Sequence, residues 1–159
     1  MSDVDYDMLR RVLAALEEGG VQYAVFGAVA MSLHGLARNT EDLDVFVAPN
    51  TANIERVKRA LHSVILDPEI DTINVAELMG EYPAVRYIPP EGDFYIDIVT
   101  RLGEAFSFAD LDITRVPFEG FTVSVITPET LYRMKKDTVR AKDRIDADWL
   151  RRTFDIEQQ

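Results

Sequence analysis

Two aspartates, Asp42 and Asp44, stand two residues apart in an apolar segment that is typical of a buried strand. Side chains two apart on a strand point to the same face, so we expect the two carboxylates to lie side by side. Such a pair is costly because like charges repel and each carboxylate loses hydration. A divalent cation relieves both penalties, and magnesium binds through one or two carboxylates together with substrate phosphates. A bare D-x-D pattern is short, however, and by itself it fits a solvated strand end better.

A third carboxylate strengthens the interpretation as a metal site. Asp97 lies inside the strongly apolar segment Phe94–Val99, where a charge needs a partner. We expect its strand to lie directly beside that of Asp42 and Asp44, with all three carboxylates on one face. The sequence therefore predicts a point where three acidic side chains converge.

Residues with an affinity for anions precede the aspartate pair. Gly27 follows a predicted buried strand, 22–26, and precedes a predicted helix, 28–33. Glycine at such a junction lets backbone N–H groups and the helix N-terminus approach an anion such as a triphosphate, although a tight turn alone also explains it. Arg38 and Thr40 add a fixed cation and a hydroxyl at the edge of the same site.

The elements that must position these residues fit one domain, 1–159. The chain has 159 residues, 47% hydrophobic and 28% charged, which is a globular composition. Its hydrophobic pattern alternates strands and helices, with a hairpin around Glu119-Gly120 and helices gathered at the two chain ends. We predict an α/β or α+β fold, with a mixed sheet of about four to six strands flanked by helices. The core would span about 21–126, and a C-terminal helical segment about 128–154.

The C-terminal segment should form two helices. Thr127-Pro128-Glu129 is a typical helix start, and this helix is predicted to run to about Arg140. A final helix is predicted to pack on the core through Ile145, Trp149 and Leu150. Asp143 and Asp146, near the start of this last helix, are expected to cap it and to form local salt bridges with Arg140 or Lys142.

Composition excludes several functional classes. The formal net charge of −11 argues against a general nucleic-acid binder. A sequence without cysteine has no disulfides, thiolate metal sites or cysteine nucleophiles. The longest nearly unbroken apolar run, 23–31, is about half of what a membrane span needs, and the N-terminus is acidic where a signal peptide is basic. We therefore expect a cytoplasmic protein without membrane association.

The motifs together resemble the signature of the nucleotidyltransferase fold, the polymerase β-like superfamily. The residues that carry this resemblance are Phe26-Gly27-Ala28-Val29-Ala30, Gly35, Arg38, Thr40, Asp42 and Asp44, with Asp97 in the place of the third carboxylate. The tail resembles that of small bacterial AbiEii-type and related nucleotidyltransferase-like proteins through Leu131, Met134, Lys135, Arg140, Lys142, Asp143 and Asp146. The resemblance covers roughly 21–150.

This resemblance implies magnesium-dependent transfer of a nucleoside monophosphate from a nucleoside triphosphate to an acceptor hydroxyl, with release of pyrophosphate. Asp42, Asp44 and Asp97 would be the catalytic residues and would hold two magnesium ions, with manganese as the alternative. Phosphate binding would fall to Gly27, Ala28, Arg38, Thr40 and Lys135. The acceptor stays open between transfer RNA, a protein side chain and a small hydroxylated molecule.

One departure from the family pattern keeps a second hypothesis open. Related proteins usually carry glycine or serine where this chain has Ala28, which offers the triphosphate no hydroxyl. The alternative is a catalytically silent module of the same fold that binds a nucleotide or a partner protein, as one component of a toxin–antitoxin-like pair. A sugar-nucleotide glycosyltransferase would also use D-x-D, but such enzymes are normally much longer.

Overall fold

Helices and strands alternate along residues 1–157, the part of the chain that the computed structural model describes. The helices are α1 (Asp3–Glu18), α2 (Gly27–Leu33), α3 (Thr51–Val64), α4 (Val75–Met79), α5 (Pro128–Lys135) and α6 (Ala141–Thr153). The strands are β1 (Tyr23–Phe26), β2 (Asp42–Val47), β3 (Ala84–Tyr87), β4 (Tyr95–Val99), β5 (Arg101–Leu102), β6 (Phe106–Ser107), β7 (Ile113–Phe118) and β8 (Phe121–Ile126). Short 3-10 turns lie at Pro68–Thr72 and Phe108–Asp110.

Six of these strands form one mixed sheet in the order β3-β4-β2-β1-β8-β7, while β5 and β6 form a separate ribbon. β2 pairs in parallel with β4 and antiparallel with β1, and β1 pairs in parallel with β8. The outer strands β3 and β7 are antiparallel to their neighbours. The predicted mixed sheet flanked by helices is confirmed.

The register of β2 and β4 aligns the acidic residues. Asp44 lies opposite Asp97 across the parallel pair. Leu43 and Val45 point to the other face and are essentially inaccessible to solvent. Alternation over residues 42–45 places Leu43 and Val45 in the core and the two carboxylates on the opposite face. The expected adjacency of the two strands is confirmed by their pairing.

The two long N-terminal helices hold the sheet through amphipathic faces. Ser2 caps α1 by accepting a hydrogen bond from the Asp5 amide, and Asn50 caps α3 in the same way from Asn53. α1 and α3 pack against each other. Their buried side chains include Leu13 and Leu61, each of which contributes about 1.5–3 kcal/mol by leaving water.

The C-terminal helices differ from the prediction in two respects. α5 ends at Lys135 rather than near Arg140, because the Thr138 hydroxyl turns back to the Lys135 carbonyl, 3.3 Å away, and competes with helical bonding. This early end lets α6 fold back against α5. Ile145 is 65% exposed, so its predicted packing on the core is wrong, whereas Leu150 is fully buried.

Within residues 1–157, no helix combines the length and the apolar character that crossing a membrane requires.

Candidate active site

Three carboxylates converge on one face of the sheet. Asp42 and Asp44 from β2 and Asp97 from β4 each offer an oxygen, and the three oxygens lie within 4.8 Å of one another. All three residues are half-buried. Carboxylate oxygens are the ligands that magnesium and manganese prefer in proteins, so this donor set fits a hard divalent cation. We call Asp42, Asp44 and Asp97 the carboxylate triad.

The charges of the triad oppose one another. The pKa of Asp44 is raised to about 7, first by burial and then by the neighbouring charges of Asp42 and Asp97, against a smaller opposing effect of Lys135. The repulsion that the D-x-D spacing predicts is therefore present in the folded chain. A cation bound between the carboxylates would remove this penalty, which is a second reason why the residues fit a metal.

Asp42 is oriented by its neighbour in sequence. The Thr40 hydroxyl lies 2.9 Å from the Asp42 carboxylate, to which it donates, and it accepts the Asp42 backbone N–H at 3.3 Å. Thr40 thus fixes the first carboxylate of the triad at the start of β2. Its hydroxyl proton is engaged with Asp42 in this conformation.

The start of α2 lies directly against the triad. Gly27 has a φ of +69°, in the left-handed region that favours glycine, and a Cβ atom added there would collide with the carboxylate of Asp44. In the described part of the chain, no side chain caps the N-terminus of α2. The backbone of Gly27 and Ala28 therefore borders the same cleft as the carboxylates.

That cleft has a volume of about 420 Å³ and combines both signs of charge. Its walls carry the triad, Gly27 and Ala28, and also Arg86, Tyr95, Lys135, Arg140, Lys142, Asp143 and Asp146. Such a lining fits a polyanion that arrives with divalent cations, since the basic side chains face the anion and the carboxylates face the cations. A neighbouring lobe of about 370 Å³ shares Ala28, Asp42, Tyr95 and Lys142 with the cleft and extends past Thr40.

Lys135 and Arg38 reach the site from different elements and meet at one aspartate. Lys135 Nζ lies 3.3 Å from Asp143 and 3.1 Å from Asp146, and its side chain is only 13% exposed. Arg38 contacts the other oxygen of Asp146. Among residues 1–157, the Nε of Arg38 is the buried side-chain nitrogen left without a hydrogen-bond partner. Arg38 therefore holds Asp146 in place, and Asp146 in turn binds Lys135.

The sequence interpretation missed the importance of α6. Asp143 lies 3.7 Å from Arg140, as expected of a local salt bridge, but its other partners are Lys135 and Thr138. Asp146 is 1% exposed and pairs with residues far away in sequence. The spacing of Asp143, Asp146 and Leu150 could have predicted their burial, because it places all three on one helical face and Leu150 belongs to the core.

The partner of Asp97 was also missed. Arg86, which lies opposite Asp97 on the edge strand β3, donates from Nε to one carboxylate oxygen at 2.9 Å and from Nη2 to the other at 3.2 Å. The charge inside an apolar strand thus has the partner that it requires. Alternation along β3 could have predicted this contact, because Tyr87 points to the core and its neighbour Arg86 therefore points to the triad face.

Another groove, of about 370 Å³, lies between α5 and the segment 154–157, and it is lined by Asp112, Glu129, Tyr132, Arg133 and Lys136 together with that segment. None of the residues that line this groove also lines the triad cleft. The chemistry that the sequence predicts therefore belongs to the triad cleft.

Comparison with known proteins agrees with this geometry. The family described as "Nucleotidyl transferase AbiEii toxin, Type IV TA system" matches residues 9–159. Among curated proteins, no sequence matches significantly.

Solved structures share the fold. One is ANT(2″)-Ia in complex with adenylyl-2″-tobramycin, with a TM-score of 0.57, 11% identity, and coverage of 93% of this chain and 88% of that one. A second is a candidate nucleotidyltransferase from Thermotoga maritima, with a TM-score of 0.57, 15% identity and coverage of 98% and 96%. A third is an antigenic nucleotidyltransferase-like protein from Paracoccidioides brasiliensis, with a TM-score of 0.56, 14% identity and coverage of 96% and 78%.

Proposed function

The chain belongs to the AbiEii nucleotidyl transferase family, and from this premise we propose that it transfers a nucleoside monophosphate from a nucleoside triphosphate to an acceptor hydroxyl. The observation that carries the proposal is the convergence of Asp42, Asp44 and Asp97 in a cleft that also holds a basic side chain, Lys135. We take the whole chain, 1–159, as one nucleotidyltransferase-like domain.

The triad would hold divalent cations, two magnesium ions or their manganese equivalents. When bound, these cations supply positive charge to the reacting phosphate and to the departing pyrophosphate. The proposal is supported by the all-oxygen donor set and by the raised pKa of Asp44, since both match a site built for a cation. Thr40 would keep Asp42 in its ligating orientation.

The remaining side chains of the cleft would bind and orient the triphosphate. Lys135, fixed by Asp143 and Asp146, would place a charge beside the phosphates. Backbone N–H groups at the start of α2 would donate to the β- and γ-phosphates. Of the residues proposed for phosphate binding, Gly27, Ala28 and Lys135 would contact the phosphates directly. Arg38 would act indirectly through Asp146, and Thr40 through Asp42.

The transfer itself is a single displacement at phosphorus. The acceptor oxygen forms a bond to the α-phosphorus as the bond from that phosphorus to the bridging oxygen of the β-phosphate breaks. The electron pair of the broken bond leaves with pyrophosphate. A carboxylate oxygen of Asp97 would accept the proton of the acceptor hydroxyl.

A partner protein is part of the proposal. The family description names a toxin of a type IV toxin–antitoxin system, which supports a cognate antitoxin for this chain as well. The acceptor has three candidates: transfer RNA, a protein side chain and a small hydroxylated molecule. The adenylylated tobramycin bound to ANT(2″)-Ia illustrates the last of these on the same fold.

Ala28 favours one alternative, a silent module of the same fold that binds a nucleotide or a partner. Ala28 borders the cleft and offers no hydroxyl there, as a serine would. The retained triad argues against this alternative, since three mutually repelling carboxylates have no use in a module without a metal.

The test is a transfer assay with each of the four α-labelled nucleoside triphosphates, magnesium or manganese, and cell extract as the source of acceptors. We expect transfer of label together with release of pyrophosphate from one or more nucleotides. Asp44→Asn should abolish both signals, whereas Asp7→Asn, a matched change of an exposed carboxylate on α1, should leave them intact. Absence of transfer with every nucleotide, together with absence of magnesium binding, would favour the silent module.

A further inference from the structure

Arg86 makes a two-point contact with a carboxylate of the triad. Its side chain is 56% exposed, yet two of its nitrogens bind the two oxygens of Asp97. The guanidinium carbon also lies 4.2 Å from the ring centroid of Tyr95, which precedes Asp97 by two residues and shares its face of β4. The guanidinium is thus held both by a two-point hydrogen bond and by the aromatic ring beneath it.

This contact acts on the carboxylate that lies opposite Asp44. Asp97 faces Asp44 across β2 and β4, and the two carboxylates repel each other when both are ionised. A single hydrogen bond would leave the carboxylate free to rotate about its last bond. The two bonds from Arg86 fix its plane, so that it stays beside Asp44 despite the repulsion.

We propose that Arg86 is a positioning residue that holds the Asp97 carboxylate in the orientation needed to share a divalent cation with Asp44. The inference rests on the function proposed above and adds to it a residue outside the triad. Arg86 acts through Asp97 and needs no contact with the nucleotide or the acceptor. Its fixed, planar pair of donors is the property that a lysine cannot reproduce.

A second arginine of the same chain provides the matched control. Arg115 binds both oxygens of Glu17, at 2.6 and 2.9 Å, and its side chain is 51% exposed. It lies on β7, at the opposite edge of the sheet from β3. The two arginines therefore make similar ion pairs, and only that of Arg86 involves the triad.

The experiment measures manganese binding to the protein without nucleotide, by electron paramagnetic resonance, for the unsubstituted chain, Arg86→Lys and Arg115→Lys. Both substitutions keep the net charge, so a change in affinity reports the lost two-point contact rather than lost charge. We expect Arg86→Lys to weaken manganese binding by about 10-fold, the lower end of the range for residues that orient metal ligands. Arg115→Lys should leave the affinity unchanged.

A second measurement separates positioning from structural support. In the transfer assay, Arg86→Lys should lower kcat by about 10-fold and leave the KM for the nucleotide unchanged, while Arg115→Lys changes neither. Equal or tighter manganese binding by Arg86→Lys would overturn the positioning role while leaving the proposed function intact. Manganese binding that depends on Arg86 in a protein that transfers no label would overturn the function and leave the positioning role standing. An unsubstituted chain that binds no manganese would overturn both.

Discussion

Two acidic clusters face the same cleft, and they are built in opposite ways. The triad on β2 and β4 is half-open, and its charges repel one another although Arg86 pairs with Asp97. The pair Asp143 and Asp146 on α6 is more deeply buried, and it is neutralised by Lys135 and Arg38.

The difference between the clusters is visible in their pKa values. Burial alone would raise the pKa of Asp143, but a hydrogen bond from Thr138 and the charges of Lys135 and Arg140 hold it below its ordinary value. The pKa of Asp44 moves the other way. The ion pairs of Asp143 and Asp146 serve the architecture, whereas Asp42 and Asp44, left in mutual repulsion, are available to a ligand.

The largest expected effect is the loss of transfer activity when a carboxylate of the triad is replaced. Asp42→Asn and Asp44→Asn should each lower the transfer rate by about 1,000-fold, because a lost metal ligand removes charge stabilisation that is needed in the transition state. Their thermal unfolding without metal should occur at the same temperature as that of the unsubstituted chain or higher, since each substitution relieves repulsion. A variant that loses activity and also unfolds early would contradict the contrast drawn here.

The second prediction breaks the compensated cluster. Asp146→Asn should lower the free energy of unfolding by about 3 kcal/mol, because it leaves the buried charges of Lys135 and Arg38 without their shared partner. Urea unfolding followed by circular dichroism measures this effect. Asp148→Asn, on the same helix but with an exposed carboxylate, is the control and should change stability by less than about 1 kcal/mol. Equal effects of the two substitutions would show that the cluster is not structural.

The third prediction concerns pH. The pKa of Asp44 is about 7 in the folded chain against an ordinary 3.8, so the folded state keeps a proton that the unfolded chain releases. Asp44 therefore leaves the free energy of unfolding unchanged below about pH 4 and lowers it by about 4 kcal/mol as the pH rises to about 7, in the absence of metal. Urea unfolding with a chelator present, repeated across this range, should show a steeper decline for the unsubstituted chain than for Asp44→Asn. Parallel curves would contradict the raised pKa.

The smallest expected effect concerns the start of α2. Ala28→Ser should keep the transfer rate or raise it by about 2- to 5-fold, as one additional hydrogen bond to phosphate would. Ala76→Ser, on the distant helix α4, is the control for an added hydroxyl. A marked loss of activity in Ala28→Ser alone would show that this turn approaches the phosphates too closely for a hydroxyl.

Much of the fold and part of the site followed from the sequence. The family resemblance is confirmed, because it rests on short motifs that the sequence shows directly. The adjacency of Asp44 and Asp97 is also confirmed, and alternation along each strand sets the face that they share. The ion pairs of Arg86 and Asp146 did not follow. Each pair joins two elements whose relative register or orientation is set only by packing. The paired residues are 11 positions apart in Arg86–Asp97 and in Lys135–Asp146, and 108 positions apart in Arg38–Asp146.

The contact of Gly27 with Asp44 predicts that the residues at these two positions change together in evolution. Because a Cβ at position 27 would overlap the carboxylate, glycine is required there only as long as Asp44 is retained. A lineage that gave up metal chemistry and lost Asp44 would be released from this steric constraint, and the positive φ alone would then oppose other residues, at a cost of about 1 kcal/mol. Gly27 and Asp44 should accordingly disappear together among relatives, so that a side chain at position 27 marks a site that has ceased to bind metal.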